Sequence, residues 1–202
     1  MTAERRWATL SPAVFRFAQG VPLDVTVWPD PGIEDRSGPP LSQGVLFTML
    51  GMVAGEHLAP AQLDLLSGLD PNAWYHGQLL ETMLQALETR DPSLPRSVGR
   101  SVYLLLRARL EGLALHSPSD VIAHLGPMWP HVTRGDTGEI RSTLLGRQHA
   151  RVELQQPFNC RFEEGTIVGF VESHGGADLV VAHDTCMRRG APSCVLDLRW
   201  RE

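Results

Sequence analysis

The sequence contains no run of 18 apolar residues, no basic stripe and only three cysteines among its 202 residues, and each shortage removes a class of protein. Without such a run, no segment is expected to cross a bilayer as a helix. The start, MTAERRWATLSPAVF, is not followed by a long apolar region ending in a small-residue cleavage site, so no secretory signal is expected and the chain reads as cytoplasmic. The net charge is −5 and the arginines are scattered among acids, which argues against direct binding of nucleic acid. Three cysteines do not make a disulfide framework, because such frameworks are dense and paired. A metal site or reduced thiols fit better.

The usual signs of catalysis are also missing. Serines lack a G-x-S-x-G setting, and there is neither a G-x-G-x-x-G nor a Walker-type loop. Glu163 and Glu164 read as the solvated surface of a short helix. No acid, base and nucleophile come together in the pattern, so the chain is not expected to be an enzyme.

Hydrophobic residues at 43% and charged residues at 20% are those of an ordinary globular protein, and the length suits one domain with an appendage. Residues 1–41 are rich in turn formers and read as a proline-rich arm, with one alternating stretch, PLDVTVWP. Residues 42–202 form the domain. Its first part, 42–133, has apolar positions recurring every three and four residues, which predicts four or five helices. Asp70-Pro71, Asp91-Pro92 and Ser117-Pro118 each place a capping oxygen before a proline and predict helix starts.

In the second part, 138–202, the period changes to two. EIRSTLLGRQHARVELQQ reads as one long bent strand or a hairpin broken near Gly146. A short helix, FEEGTIVGFVESHGG, follows and ends at glycines suited to a left-handed cap, before two strands joined by the loop CMRRGAPSC. Helices first, then strand, helix, strand, strand: this order predicts an α+β fold with helices packed on a twisted antiparallel sheet.

His183 lies three residues before Cys186, and Cys186 and Cys194 bracket the loop, so a strand-loop-strand unit would gather three ligands. Cys160, at the start of the short helix, would supply a fourth. Thiolate and imidazole are donors that zinc prefers, and a site closed by four side chains serves folding and not chemistry. Alternatively, the cysteines are small buried hydrophobes, or Cys186 and Cys194 form an incidental disulfide. Of the other histidines, none shows a repeated ligand spacing. HLGPMWPHV brings His124, Trp129 and His131 close in sequence, a weak candidate group for holding a planar or phenol-like ligand, with core packing as the plainer role.

The stretch PFNCRFEEGTIVGFVESHGGADLVVAHDTCMRRGAPSCVLDLRW resembles the C-terminal part of the 4-vinyl reductase domain family, most closely the sensor domains of aromatic-responsive bacterial transcription activators. In those sensors zinc is held by a cysteine, a carboxylate 23 residues on, a cysteine 3 further and a cysteine 8 beyond. The intervals from Cys160 to His183, Cys186 and Cys194 match these in turn, and Gly165, Gly169 and Gly176 fall in register. His183 replaces the family's carboxylate; Asp184 or a water would be the substitute ligand if His183 turned away.

The resemblance implies a fold shared with nitric oxide signalling domains, a structural zinc, a pocket for a hydrophobic or aromatic small molecule, a homodimer and output through a partner protein. The haem-propionate clamp Tyr-x-Ser-x-Arg of the nitric oxide sensors is absent, so haem is not expected. The competing expectation is a non-catalytic adaptor or dimerisation protein with a packed interior. An enzyme of tetrapyrrole reduction rests only on the family's name.

Overall fold

The structure, a computed structural model, describes residues 23–202; the first 22 residues of the proline-rich arm lie outside the described residues. Two four-stranded antiparallel sheets carry the fold where one was expected. The smaller joins β1 (Val27–Trp28), β2 (Leu41–Gln43), β3 (Trp74–His76) and β4 (Thr133–Arg134) in the order β1-β3-β2-β4. The larger joins β5 (Glu139–Gly146), β6 (His149–Gln155), β7 (Ala177–Thr185) and β8 (Cys194–Arg201) in the order β5-β6-β8-β7. The fold class is α+β, with the helices packed between and against these sheets.

The helices are α1 (Gly44–Ala54), α2 (Pro60–Ser67), α3 (Gly77–Arg90), α4 (Leu94–Arg100), α5 (Val102–Leu106), α6 (Pro118–Met128) and α7 (Cys160–Ser173). The start at Ser117 is as expected: its hydroxyl accepts from the Asp120 amide at 3.2 Å. The start at Asp70-Pro71 is not. There Asp70 Oδ1 accepts from the Asn72 amide at 2.8 Å, an Asx turn that feeds β3, and the helix begins only at Gly77. Asp91 likewise closes a turn, through the Ser93 amide at 2.8 Å, ahead of α4. The apolar run from Val102 is also shorter than its pattern suggests, because it breaks into α5 and a 3₁₀ turn at Arg107–Arg109.

Residues 139–155 fold as the hairpin alternative, with a register shift between Leu144 and Gly146. α7 runs through the centre of the molecule. Asn159 caps it, accepting from the amides of Arg161 at 3.0 Å and Phe162 at 3.2 Å, and Gly175, with φ 96°, closes it in the left-handed conformation. One side of α7 meets α4 backbone to backbone: a Cβ on Gly99 would lie 2.0 Å from the Phe162 carbonyl oxygen. The buried core extends from α1, α3 and α6 through α7 to the inner residues of β6 and β8, including Val152, Leu154, Leu196 and Leu198.

Candidate functional site

The antiparallel pairing of β7 with β8 brings the two ends of the loop 186–194 together, and the capped first turn of α7 points Cys160 at them. Cys160 Sγ lies 3.6 Å from Cys186 Sγ and 3.1 Å from Cys194 Sγ, and the three sulfurs all fall within 4.8 Å of one another. None forms a disulfide. The Met187 amide donates to Cys194 Sγ at 3.3 Å, so the loop backbone also addresses the cluster. Contacts with Cys160 and Cys194 push the Cys186 thiol far down, and contacts with Cys186 and Cys194 push Cys160 far up. Three sulfurs this close cannot all be anionic unless a cation lies among them.

His183 stands on β7 just outside that triangle. Its Nε2 is buried without a hydrogen-bond partner among the described residues, while Nδ1 lies 3.6 Å from Glu164 Oε2. Interaction with Cys186 and Cys194, then with Glu164, raises the imidazole to about 11. Glu164 is in turn held by Arg96 at 2.8 Å; burial pushes its carboxyl up, but His183 and Arg96 together keep it below the ordinary value. Asp184 is exposed.

This donor set suits a tetrahedral metal. Zinc–sulfur bonds of about 2.3 Å place sulfurs about 3.8 Å apart at tetrahedral angles; the Cys160–Cys186 separation of 3.6 Å is near that value, and the Cys160–Cys194 separation of 3.1 Å would have to widen around an ion. An imidazole with one free nitrogen and the other turned to a carboxylate has the arrangement that orients metal-bound histidines. Glu164, read from sequence as a surface residue, is thus part of the site. Its signal was available: it lies four residues after Cys160, on the same helical face.

A second feature lies inside the molecule. Between α1, α5, α6 and α7 is an apolar cavity of about 40 Å³, lined by side chains including Leu46, Val102, Trp129, Phe158 and Ile167. Trp129 is buried there, edge-on to Phe158, with its Nε1 donating to the Thr137 carbonyl at 3.3 Å. The structure does not bring His124 and His131 to this wall. His124 Nδ1 lies 2.7 Å from the carbonyl of Asp120 on its own helix, and His131 is half-exposed beside Arg134 and Arg109.

Glu163 overturns the reading of a solvated helix face. Its side chain is sealed between α7 and the core, 1% exposed, and it lines the cavity with Oε1 unpartnered. Burial, aided by the charge of Glu81, raises its carboxyl well above the usual range. Ser42 also lines this cavity, and its hydroxyl has no partner among the described residues. Helical periodicity alone cannot find such a residue, because α7 is enclosed on both sides.

No family model and no curated protein sequence matches this chain. Solved structures do. An H-NOX protein from S. oneidensis in the Fe(II)NO ligation state is 16% identical, with a TM-score of 0.62 over 79% of this chain and 99% of that one. The chain shares its fold with H-NOX proteins. The Fe(II) unliganded H-NOX protein from K. algicida aligns at 12% identity with a TM-score of 0.55, over 79% and 97% of the two chains. A point mutant of the T. tengcongensis H-NOX gives 11% and 0.53, over 79% and 95%.

A haem does not fit the interior described. A cavity of about 40 Å³ is far too small for a tetrapyrrole, and among the described residues no histidine lines it. The sequence also lacks the Tyr-x-Ser-x-Arg clamp. The likeness to H-NOX proteins is one of fold.

Proposed function

We propose that this protein is a non-catalytic binding or sensor module, stabilised by a structural zinc, that takes a small hydrophobic or aromatic molecule into its central cavity and signals through a partner protein. Cys160, Cys186 and Cys194 would hold the zinc with His183 as the fourth ligand and Glu164 orienting the imidazole. That ligand set leaves no open position, so the metal would tie α7 to the last hairpin and supply no chemistry of its own. The 23, 3 and 8 spacing supports kinship with the 4-vinyl reductase domains, and a cytoplasmic homodimer is the assembly that kinship favours.

The observation that carries the receptor reading is that Ser42 and Glu163, whose Oγ and Oε1 have no partner among the described residues, line a mostly apolar cavity. A chain that uses its interior only for packing gains nothing from an unsatisfied carboxyl there, which costs stability. Ligand sites, by contrast, combine apolar walls with a few convergent polar groups. Thermal-shift screening against aromatic and small apolar compounds is the direct test. At least one compound should raise the unfolding temperature in a saturable way.

One observation favours a second reading, the adaptor with a packed interior. The cavity is about 40 Å³, whereas a cavity that admits benzene measures about 150 Å³. A ligand as large as phenol would therefore have to push side chains such as Met128 or Leu46 aside. A flat response across the whole panel would favour the adaptor.

A further inference from the structure

The central cavity has an acid on its wall and, among the described residues, no base paired with it. Glu163 is 1% exposed with Oε1 unpartnered, and among the described residues no arginine or histidine forms an ion pair with it. The guanidinium nearest to its neighbour Glu81 belongs to Arg188, at 3.9 Å, and also serves Glu88 at 2.5 Å. Glu81 has a further partner in Gln85 Nε2 at 2.9 Å. Ser42 lines the same space, its Oγ also unpartnered among the described residues, and the rest of the wall is mostly hydrocarbon, such as Leu46, Val102 and Ile167, with the hydroxyls of Thr133 and Thr166 already given to backbone carbonyls at 2.9 and 3.0 Å.

We propose that Glu163 is the polar anchor of this cavity and that the molecule it selects is a small apolar primary amine, bound by the Glu163 carboxylate and the Ser42 hydroxyl. The proposal rests on reading the cavity as a ligand chamber and specifies what enters it. An isolated carboxylate is not sustained in such surroundings, so before a ligand enters the cavity holds a neutral carboxyl. A neutral amine entering from water accepts the carboxyl proton. The O–H bond breaks, an N–H bond forms, and an ammonium–carboxylate pair results with no net charge carried inward. One ammonium N–H is directed at Oε1 and another at Ser42 Oγ, so both orphaned groups are satisfied.

An alcohol of the same shape can offer only one donor and no charge. Hydrogen bonds between ionised groups are about twice as strong as neutral ones, which separates the two ligand types. A ligand with neither group would leave Glu163 and Ser42 unpartnered. The size of the cavity favours bodies of a few carbons.

The test is isothermal titration of the full chain with propylamine, isobutylamine and benzylamine against propanol, isobutanol and benzyl alcohol. On the unmutated protein at least one amine should bind about tenfold or more tightly than its alcohol isostere, a difference of about 1.4 kcal/mol. Glu163→Gln, which keeps the shape of the side chain, should erase that preference, and Ser42→Ala should weaken amine binding several-fold. Equal affinity for amine and alcohol, or an amine preference that survives in Glu163→Gln, overturns the proposal. If alcohols bind and amines do not, the receptor reading stands and the amine proposal falls. If neither series binds, both fall. The comparison of isosteres on the unmutated protein decides the matter even if a variant fails to fold.

Discussion

A Cβ on Gly165 would stand 2.0 Å from the carbonyl oxygen of Arg96, so the crossing of α7 over α4 is possible only with glycine at that position. The obstacle is backbone and cannot rotate away. Gly165→Ala should therefore cost stability at the upper end of overpacking substitutions, about 3 kcal/mol. For a chain of this length that corresponds to a fall in unfolding temperature of roughly 6–12 °C. Circular dichroism melting of the variant checks it; an unchanged midpoint would mean that the two helices do not cross as described.

Cys194 is fully buried within the sulfur cluster, and its replacement should remove metal and fold together. Purified protein is expected to hold about one zinc per chain by elemental analysis, consistent with a single four-ligand site. Cys194→Ser should hold far less and melt earlier. His183→Ala should retain zinc after purification yet release it to a chelator that the unmutated protein resists. Zinc near zero in the unmutated protein would refute the site, and a His183→Ala variant as resistant as its parent would remove the histidine from it.

The gathering of Cys160, Cys186 and Cys194 was legible through the family resemblance that their stretch carries, and the Ser117 cap through a hydroxyl before a proline, whereas the period of two in 139–155 left open a bent strand or the hairpin that forms. β3 was not legible. Trp74–His76 is three residues long and exists as a strand only through pairing with Leu41–Gln43 and Val27–Trp28, more than thirty positions away in each case. So short a segment has no period to read. Asp70-Pro71 was misleading for the same reason, since an Asx turn and a helix cap begin with the same residues. The burial of Glu163 depends on what covers α7 from the far side, and the amphipathic pattern of one helix does not contain that information. Conversely, Glu164 was passed over although it lies one helical turn after Cys160, where His183 and Arg96 meet its carboxylate.

The buried acids make stability depend on pH in a particular direction. Burial raises Glu81 to about 8 from an ordinary value of 4.5, and Glu163 is raised as well. The folded protein therefore holds these protons where the unfolded chain has released them. The stabilising contribution is complete below about 4.5 and is lost as pH rises through about 8. A metal held by the three cysteines would contribute the opposite slope, because protons compete with the metal for the thiolates. Comparing the unmutated protein with Glu163→Gln removes that common slope. The variant should gain in unfolding temperature relative to its parent as pH rises from 5.5 to 8, and a constant difference between the two would show that Glu163 is not proton-linked to folding.

Val102 lines the cavity and is buried, so a longer side chain there would project into the vacant volume. Val102→Leu adds one methylene, and a buried methylene that meets no obstacle contributes about 0.8 kcal/mol. With room of about 40 Å³ to receive it, the substitution should be neutral or mildly stabilising, in contrast to Gly165→Ala. The same change separates the two functional readings. In a receptor, filling the chamber removes the response to any ligand that raises the unfolding temperature of the parent, while the fold and the zinc content stay the same. In an adaptor, the interior is only a core, so Val102→Leu alters stability alone and leaves partner binding and dimerisation untouched. Melting curves of parent and variant, with and without the best compound from the screen, distinguish these outcomes. A ligand response that persists undiminished in Val102→Leu would place the binding site elsewhere on the molecule.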